Sequence, residues 1–350
     1  MTAEIPDIEV VEEEETTIQD RKGIANKIAL IGAFDTLETT PQLYTNLTAA
    51  KTALGTDDTY NGCEILPLIF NSTGLLVVNI TTETGGTREK TLTTAKLTEA
   101  LAKIKHEDFD MLFVADTLED SALVILDTFF QERMKMKMPA EYVFACTRST
   151  VNDYVTTTSK TGKYVSGMVI QPGSLAGVNY SLLGTAALYA KYISELPVRE
   201  SMTNQVVPFL DSVTPEYTFE NGDDGKTLVG AGVTIFKVKN RQDGTIVVVN
   251  SEQPDGLDLY INRVRNYVIK EMNVEFALGK RNRPLTHSEI EHIVDTIKYN
   301  CTNVDELDLL KDIKYTVNKI NSKCVEITIT ELLFEDIITK IRIKYKIKVE

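Results

Sequence analysis

The sequence predicts an α/β middle unit, layered around a largely parallel sheet, then an α+β C-terminal unit, with an extended arm at each end. Three observations lead there: apolar runs alternating with helix-period segments between residues 27 and 196, a change of character after Met202, and a strict parity pattern before Glu350. In that last stretch Lys340, Arg342, Lys344, Lys346 and Lys348 share one parity, and Ile341, Ile343, Tyr345, Ile347 and Val349 the other. Period-two alternation of this kind marks a strand with one basic and one apolar face. The opposite end carries Glu4, Asp7, Glu9, Glu12, Glu13, Glu14, Glu15 and Asp20 against only Arg21 and Lys22. A long, half-apolar terminal strand is an aggregation hazard unless a partner's sheet accepts it, so the oppositely charged ends predict a polymer subunit.

The α/β unit is read element by element. Lys27 to Ile31 is a short apolar strand, and Pro41 to Leu54 is expected as a helix with Gly55 as its terminator. Leu75 to Ile80 is the next strand, and Gly85-Gly86 a turn. Leu92, Leu97, Leu101 and Ile104 recur at helical spacing before the buried strand Met111 to Ala115. Ser121 to Met138 is a helix capped by Ser121 or Asp120 and stopped by Pro139. Strands follow at Tyr142 to Cys146 and Tyr164 to Ile170, then a break at Pro172-Gly173-Ser174 and a helix from Leu175 to Leu196, ended by Pro197. Strands alternating with helices imply a parallel sheet covered by helices.

Past Met202 the pattern changes. Val233 to Lys239 and Thr245 to Asn250 flank a Gly-containing five-residue loop, the pattern of a β-hairpin. Leu257 to Met272 is helical, with Leu257, Ile261, Val264, Val268 and Met272 on one face, and Ser288 to Tyr299 is a second helix. Val325, Ile327 and Ile329 alternate with Glu326, Thr328 and Thr330, and Glu335-Asp336 turns the chain into the basic strand.

Composition excludes several classes. With 43% hydrophobic and 25% charged residues over 350, the chain has material for a core and for two or three domains. A formal charge of −14, with no basic stripe outside the terminal strand, argues against nucleic acid as a partner. No apolar run approaches the length of a spanning helix, and no secretory leader is evident, so folding in a cytoplasm is expected. Cys63, Cys146, Cys301 and Cys324 share no short spacing and are read as free thiols. His106 stands alone, and His287 and His292 are five apart, the wrong interval for one helix face, so neither a metal nor a cofactor is expected. The acidic turn between Phe219 and Lys226 lacks the ligand pattern of a calcium loop.

Several segments together resemble the contractile tail sheath family. They are Ile28-Ala29-Leu30-Ile31-Gly32-Ala33-Phe34, the helix end Ala53-Leu54-Gly55, Leu75-Leu76-Val77-Val78, Leu228 to Ile235 before the Asp243-Gly244 hairpin, and Leu259-Tyr260-Ile261-Asn262-Arg263-Val264-Arg265 after Pro254-Asp255-Gly256. The stretch near Pro197-Val198-Arg199 departs from the family's proline-alanine-asparagine element. The resemblance implies an acidic arm over 1–25, an α/β outer domain over 26–205, an α+β sheath core domain over 206–336 and a basic arm over 337–350. It implies a subunit that polymerises helically around an inner tail tube and contracts to drive that tube through a target envelope. Its partners would be further copies of itself, the tube protein, and baseplate and tail terminator proteins, without nucleic acid or membrane insertion. Assembly would take place in a host cytoplasm, and the product would be a virion tail or another contractile particle.

Arm exchange between subunits would then use Ile5, Ile8, Glu9, Val10, Glu12 and Glu14 at one end and Ile341, Arg342, Ile343, Lys344, Tyr345, Lys346, Ile347, Lys348 and Val349 at the other. Arg263, Arg265 and Lys270 are the candidates to face the tube. Their alternative reading is an ordinary solvated helix face. A non-contractile shell or tube protein would use the same terminal exchange in one lattice. The more remote alternative is an α/β nucleotide- or metal-binding enzyme. Against it, Gly32-Ala33-Phe34-Asp35 has one glycine where a dinucleotide loop needs three, and Phe34 would obstruct a phosphate. Asp108, Asp110, Asp116, Glu119 and Asp120 around the Met111 strand could serve acid–base or magnesium chemistry, or form a solvated surface.

Overall fold

A computed structural model describes residues 27–136, 138–162, 164–196, 201–240, 244–256, 258–267, 270, 295, 312–321, 324–333 and 345–349. The chain begins with β1 (Ile28–Gly32), β2 (Gln42–Tyr44), α1 (Leu47–Leu54), α2 (Asn61–Ile69), β3 (Leu75–Asn79), β4 (Thr82–Thr84), β5 (Thr87–Glu89) and α3 (Thr94–Ile104). It continues through β6 (Met111–Thr117), α4 (Asp120–Lys135), β7 (Glu141–Ala145), α5 (Val151–Thr158), β8 (Val165–Val169), β9 (Gly173–Leu175), β10 (Val178–Asn179) and α6 (Leu182–Glu195). Then come β11 (Ser212–Val213), α7 (Asp224–Gly230), β12 (Phe236–Asn240), β13 (Thr245–Val248), a helix α8 over 259–267, and β14 (Asp312–Asn321), β15 (Cys324–Leu333) and β16 (Tyr345–Val349).

The main sheet has six strands in the order β2-β3-β1-β6-β7-β8, all parallel except β2. Every residue of β1, β3, β7 and β8 is buried, which is why these strands read in sequence as continuous apolar runs: helices cover both faces. Phe130 of α4 stacks on Tyr142 of β7, and the Tyr189 ring of α6 lies against Gly167 of β8. Arg133, 1% exposed, ends the α4 layer. Its Nη1 donates to the carbonyls of Ile104 (3.3 Å), Lys105 (2.9 Å) and Glu107 (3.0 Å), and its Nη2 to that of Phe109 (3.3 Å). Carbonyls at the end of α3 have no partner within the helix, and the guanidinium supplies one.

Two expected helices are shorter than the sequence suggested. Residues 42–44 form an antiparallel edge strand rather than the start of a helix, and α1 begins only after Asn46, whose Oδ1 accepts from the amides of Thr48 (2.8 Å) and Ala49 (3.1 Å). Likewise the helix expected from Leu175 starts at Leu182. Ala176 and Gly177 both have positive φ (51° and 81°) and turn the chain through the β9–β10 hairpin, and the Ser181 side chain caps α6. Helices α2, α5 and α7 were not anticipated at all.

The segment from Met202 onward continues the same apolar cluster: Met202, Val207, Leu210, Leu228, Phe236, Val248 and Leu259 belong with the sheet residues. Thr234 bridges in parallel to Val169 at the outer edge of β8. Buried Gln171 pins the start of β12, accepting from the Phe236 amide (2.8 Å) and donating to the carbonyls of Pro215 (2.7 Å) and Phe236 (3.2 Å). The expected hairpin over residues 233–250 is present as β12–β13. Among the described residues no helix is long and apolar enough to cross a membrane.

Candidate assembly interface

The C-terminal strands form a sheet of three in the order β14-β15-β16. β14 and β15 pair antiparallel over ten residues each, from Asp312 opposite Leu333 to Asn321 opposite Cys324. β16 runs antiparallel to β15, placing Lys348 opposite Glu326, Ile347 opposite Ile327, Lys346 opposite Thr328 and Tyr345 opposite Ile329. The described part of the basic terminal segment, Tyr345–Val349, is therefore a strand, as its parity predicts, and it lies on its own chain's sheet with an acidic residue opposite Lys348. Among the described residues neither β14 nor β16 has a second neighbour, so the sheet presents two outer edges whose amides and carbonyls can accept a further strand.

The other expected arm-exchange residues, Ile5, Ile8, Glu9, Val10, Glu12, Glu14, Ile341, Arg342, Ile343 and Lys344, lie outside the described residues, as do Cys301, His287 and His292. Of the three candidates to face the tube, two are buried and Lys270 is half-buried. Arg263 and Arg265 are 5% and 8% exposed, and Arg263 Nη2 donates to the Leu196 carbonyl (2.9 Å). Lys270 Nζ sits 2.7 Å from Asp108 Oδ1 and 2.9 Å from Asp110 Oδ1. Within the single subunit the buried Arg263 and Arg265 do not form a solvated face. Helix α8 turns its basic residues toward the amino-terminal rim of the six-stranded sheet, and a helical-wheel reading could not say which neighbour that face would meet.

At that rim, Glu141 at the head of β7 is fully buried. Its Oε1 accepts from Asn266 Nδ2 (2.7 Å) and its Oε2 from the Ser166 hydroxyl. Burial raises its carboxyl above the ordinary value, while the Ser166 bond and the charges of Arg263 and Arg265 oppose the rise. Missed from the sequence, Glu141 has a visible signal: a carboxylate heading an apolar strand.

The acidic group around β6 is split between the two ends of the strand. Asp108 and Asp110 precede it, whereas Asp116 lies near its carboxyl end and Glu119 and Asp120 follow it. Asp120 pairs with Arg148 (2.8 Å) and Lys160 and accepts from the Thr157 hydroxyl (3.2 Å), tying the start of α4 to α5. No group of three or more His, Cys, Asp or Glu with metal-holding geometry occurs among the described residues. In the 219–226 turn, Asp223 Oδ2 accepts from the Glu220 amide (2.9 Å) and so serves the turn itself. Cys63 and Cys146 are buried free thiols, and burial pushes the Cys146 thiol up to about 12.

The strand order places a topological switch point between β1 and β6, where doubly wound sheets hold ligands. Here the crevice is filled. Phe34 is fully buried, its amide bonded to Asn79 Oδ1 (3.1 Å) and Thr81 Oγ1 (3.0 Å), and the Gly62 amide of α2 donates to the Ala33 carbonyl (2.9 Å). Arg88 of β5 reaches across to pair with Asp35. The amides a phosphate would need are already satisfied within the chain.

No protein-family profile matches the sequence, and no curated protein matches it. Among solved structures, the chain is similar to a sheath tail protein from Desulfitobacterium hafniense, with a TM-score of 0.68 and 14% identity over 98% of this chain and 100% of that one. It is similar to a sheath tail protein from Listeria innocua, with a TM-score of 0.64 and 13% identity over 93% and 96% of the two chains. The helical sheath of the anti-feeding prophage in its contracted state also matches, with a TM-score of 0.67 and 14% identity over 98% and 99%. At such identities the likeness establishes the fold, and it does so across nearly the full length of both chains.

Proposed function

We propose that this chain is a structural subunit of a contractile tail sheath. It polymerises helically around an inner tube, is linked by terminal strands exchanged between subunits, and contracts to drive the tube through a target envelope. The observation that carries the reading is the C-terminal sheet with two available edges and a basic terminal strand on one side; the shared fold adds to it. A neighbour's strand can use the same ladder that β16 uses on its own β15, with main-chain bonds giving affinity and alternate side chains fixing register. A heterologous contact that does not close produces a helix, and two packings of the same subunits supply the extended and contracted lattices. The inner tube, baseplate and tail terminator are its further partners, and no catalytic role is assigned.

Electron microscopy of the full-length chain beside a variant lacking residues 340–350 tests this. Long striated hollow tubes, lost on truncation while the subunit stays folded, are expected. Monodisperse particles from both proteins at low and moderate salt would overturn the reading.

A further inference from the structure

Resting on the sheath reading, the inference concerns how the two terminal segments are joined within one subunit. Lys27, the residue immediately before β1, follows the acidic N-terminal segment in sequence. Lys270, just beyond α8, precedes the C-terminal sheet in sequence. These two positions, 243 residues apart by subtraction of their numbers, meet at one loop. The Lys27 amide donates to Asp110 Oδ2 (2.9 Å), and its carbonyl accepts from the amides of Asp110 (2.9 Å) and Met111 (3.2 Å). Its Nζ lies 3.2 Å from Asp108 Oδ2, while Lys270 Nζ takes the other oxygen of each carboxylate. Asp108 and Asp110 are thus each shared between the two lysines, one oxygen apiece.

The loop that carries them is itself held. Arg133 donates to the carbonyls of Lys105, Glu107 and Phe109, and its guanidinium stacks 3.9 Å from the centroid of the Phe109 ring. The carboxylates are therefore presented from a fixed backbone and not from a free surface turn. Burial would raise the Asp108 carboxyl, but bonds from Lys270 and Lys27 outweigh it and hold the group low. Burial would likewise lower the Lys270 ammonium, and the two aspartates hold it high.

We propose that Asp108 and Asp110 form a junction tying the root of the N-terminal segment at Lys27 to Lys270 just past α8, so that a pull on one terminal segment is carried to the other without deforming the sheet. Hydrogen exchange at the Lys27 amide of the full-length, unassembled chain reads the junction directly. In K270Q, exchange at Lys27 should quicken by about two- to fivefold, the scale of one partly exposed ion pair, and D108N should do the same. Raising the salt should quicken exchange more in the wild type than in K270Q, which keeps only the Lys27–Asp108 pair. Exchange at Lys27 that is indifferent to K270Q, to D108N and to salt would overturn the proposal. Because the chain is unassembled, this outcome is independent of whether sheaths form. Where wild-type tubes are obtained, K270Q tubes should break into shorter pieces under shear; equal lengths would refute the transmission of pull.

Discussion

Replacing Arg133 by methionine keeps the apolar stem and removes the guanidinium. Four carbonyls lose a charged donor, and those of Ile104 and Phe109 are deeply enclosed. Bonds to charged groups contribute about 1.5–3 kcal/mol each, giving roughly 6–12 kcal/mol gross for four. Against that stands the cost of burying the charge. Burial lowers the Arg133 guanidinium from its ordinary value to about 10, which corresponds to about 3 kcal/mol. The bonds are neither independent nor all of ideal length, so the low end of the difference, about 3–5 kcal/mol, is the expected loss, in line with removing one partner of a buried charged network. For a unit of this size that lowers the thermal midpoint by about 6–20 °C. Urea unfolding of R133M followed by circular dichroism measures the change. R133K keeps a cation at the α3 terminus and should fall between. A loss under about 0.5 kcal/mol for R133M would show that water satisfies those carbonyls and would refute the reasoning.

G62A should cost about 1–3 kcal/mol, read from the thermal midpoint, because an added Cβ would meet the Ala33 carbonyl at 2.5 Å and the Phe34 ring at 2.7 Å. The Cys146 thiol, pushed up to about 12, should resist alkylation at pH 8 in the folded protein and react once urea unfolds it. Asp120 is held below its ordinary 3.8, first by Lys160 and then by Arg148, so its contribution is present above that value and is lost as pH falls through the lower folded value. Unfolding free energies at pH 3, 4 and 6 should therefore fall less steeply toward acid in D120N than in the wild type. Thermal shift with nucleotides or magnesium should leave the midpoint unchanged, since the switch-point amides are bonded internally.

Much of the fold was legible because parallel strands buried on both faces leave unbroken apolar runs: Ile28–Gly32, Leu75–Asn79 and Glu141–Ala145 were found within a residue or so. Helix starts were read less well, since apolar spacing alone does not distinguish a helix from a strand or hairpin before it. The deciding signals were the caps. Asn46 and Ser181 mark the true starts of α1 and α6, and Thr150 with Asp153 forms a capping box that announces α5 despite its β-branched composition. Helix α2 was hidden by Gly62 and Pro67, two residues that argue against helix unless the backbone approach at Gly62 is known. The basic strand was plain from parity, whereas its pairing with β15 is a tertiary choice between edges. The environment of Arg263, Arg265 and Lys270 was hidden for the same reason: their partners Leu196, Glu141, Asp108 and Asp110 come from distant parts of the chain.

The filled crevice at the carboxyl ends of β1 and β6 bears on mechanics as well as chemistry. Domains that close around a ligand need a void to close upon, and a packed interior is nearly incompressible. With the Phe34 ring against Gly62 and Arg88 latched to Asp35, the six-stranded layer has no such hollow between its halves. In the lattice proposed above, a body of this kind would let length change by sliding its bricks past one another, each brick keeping its shape.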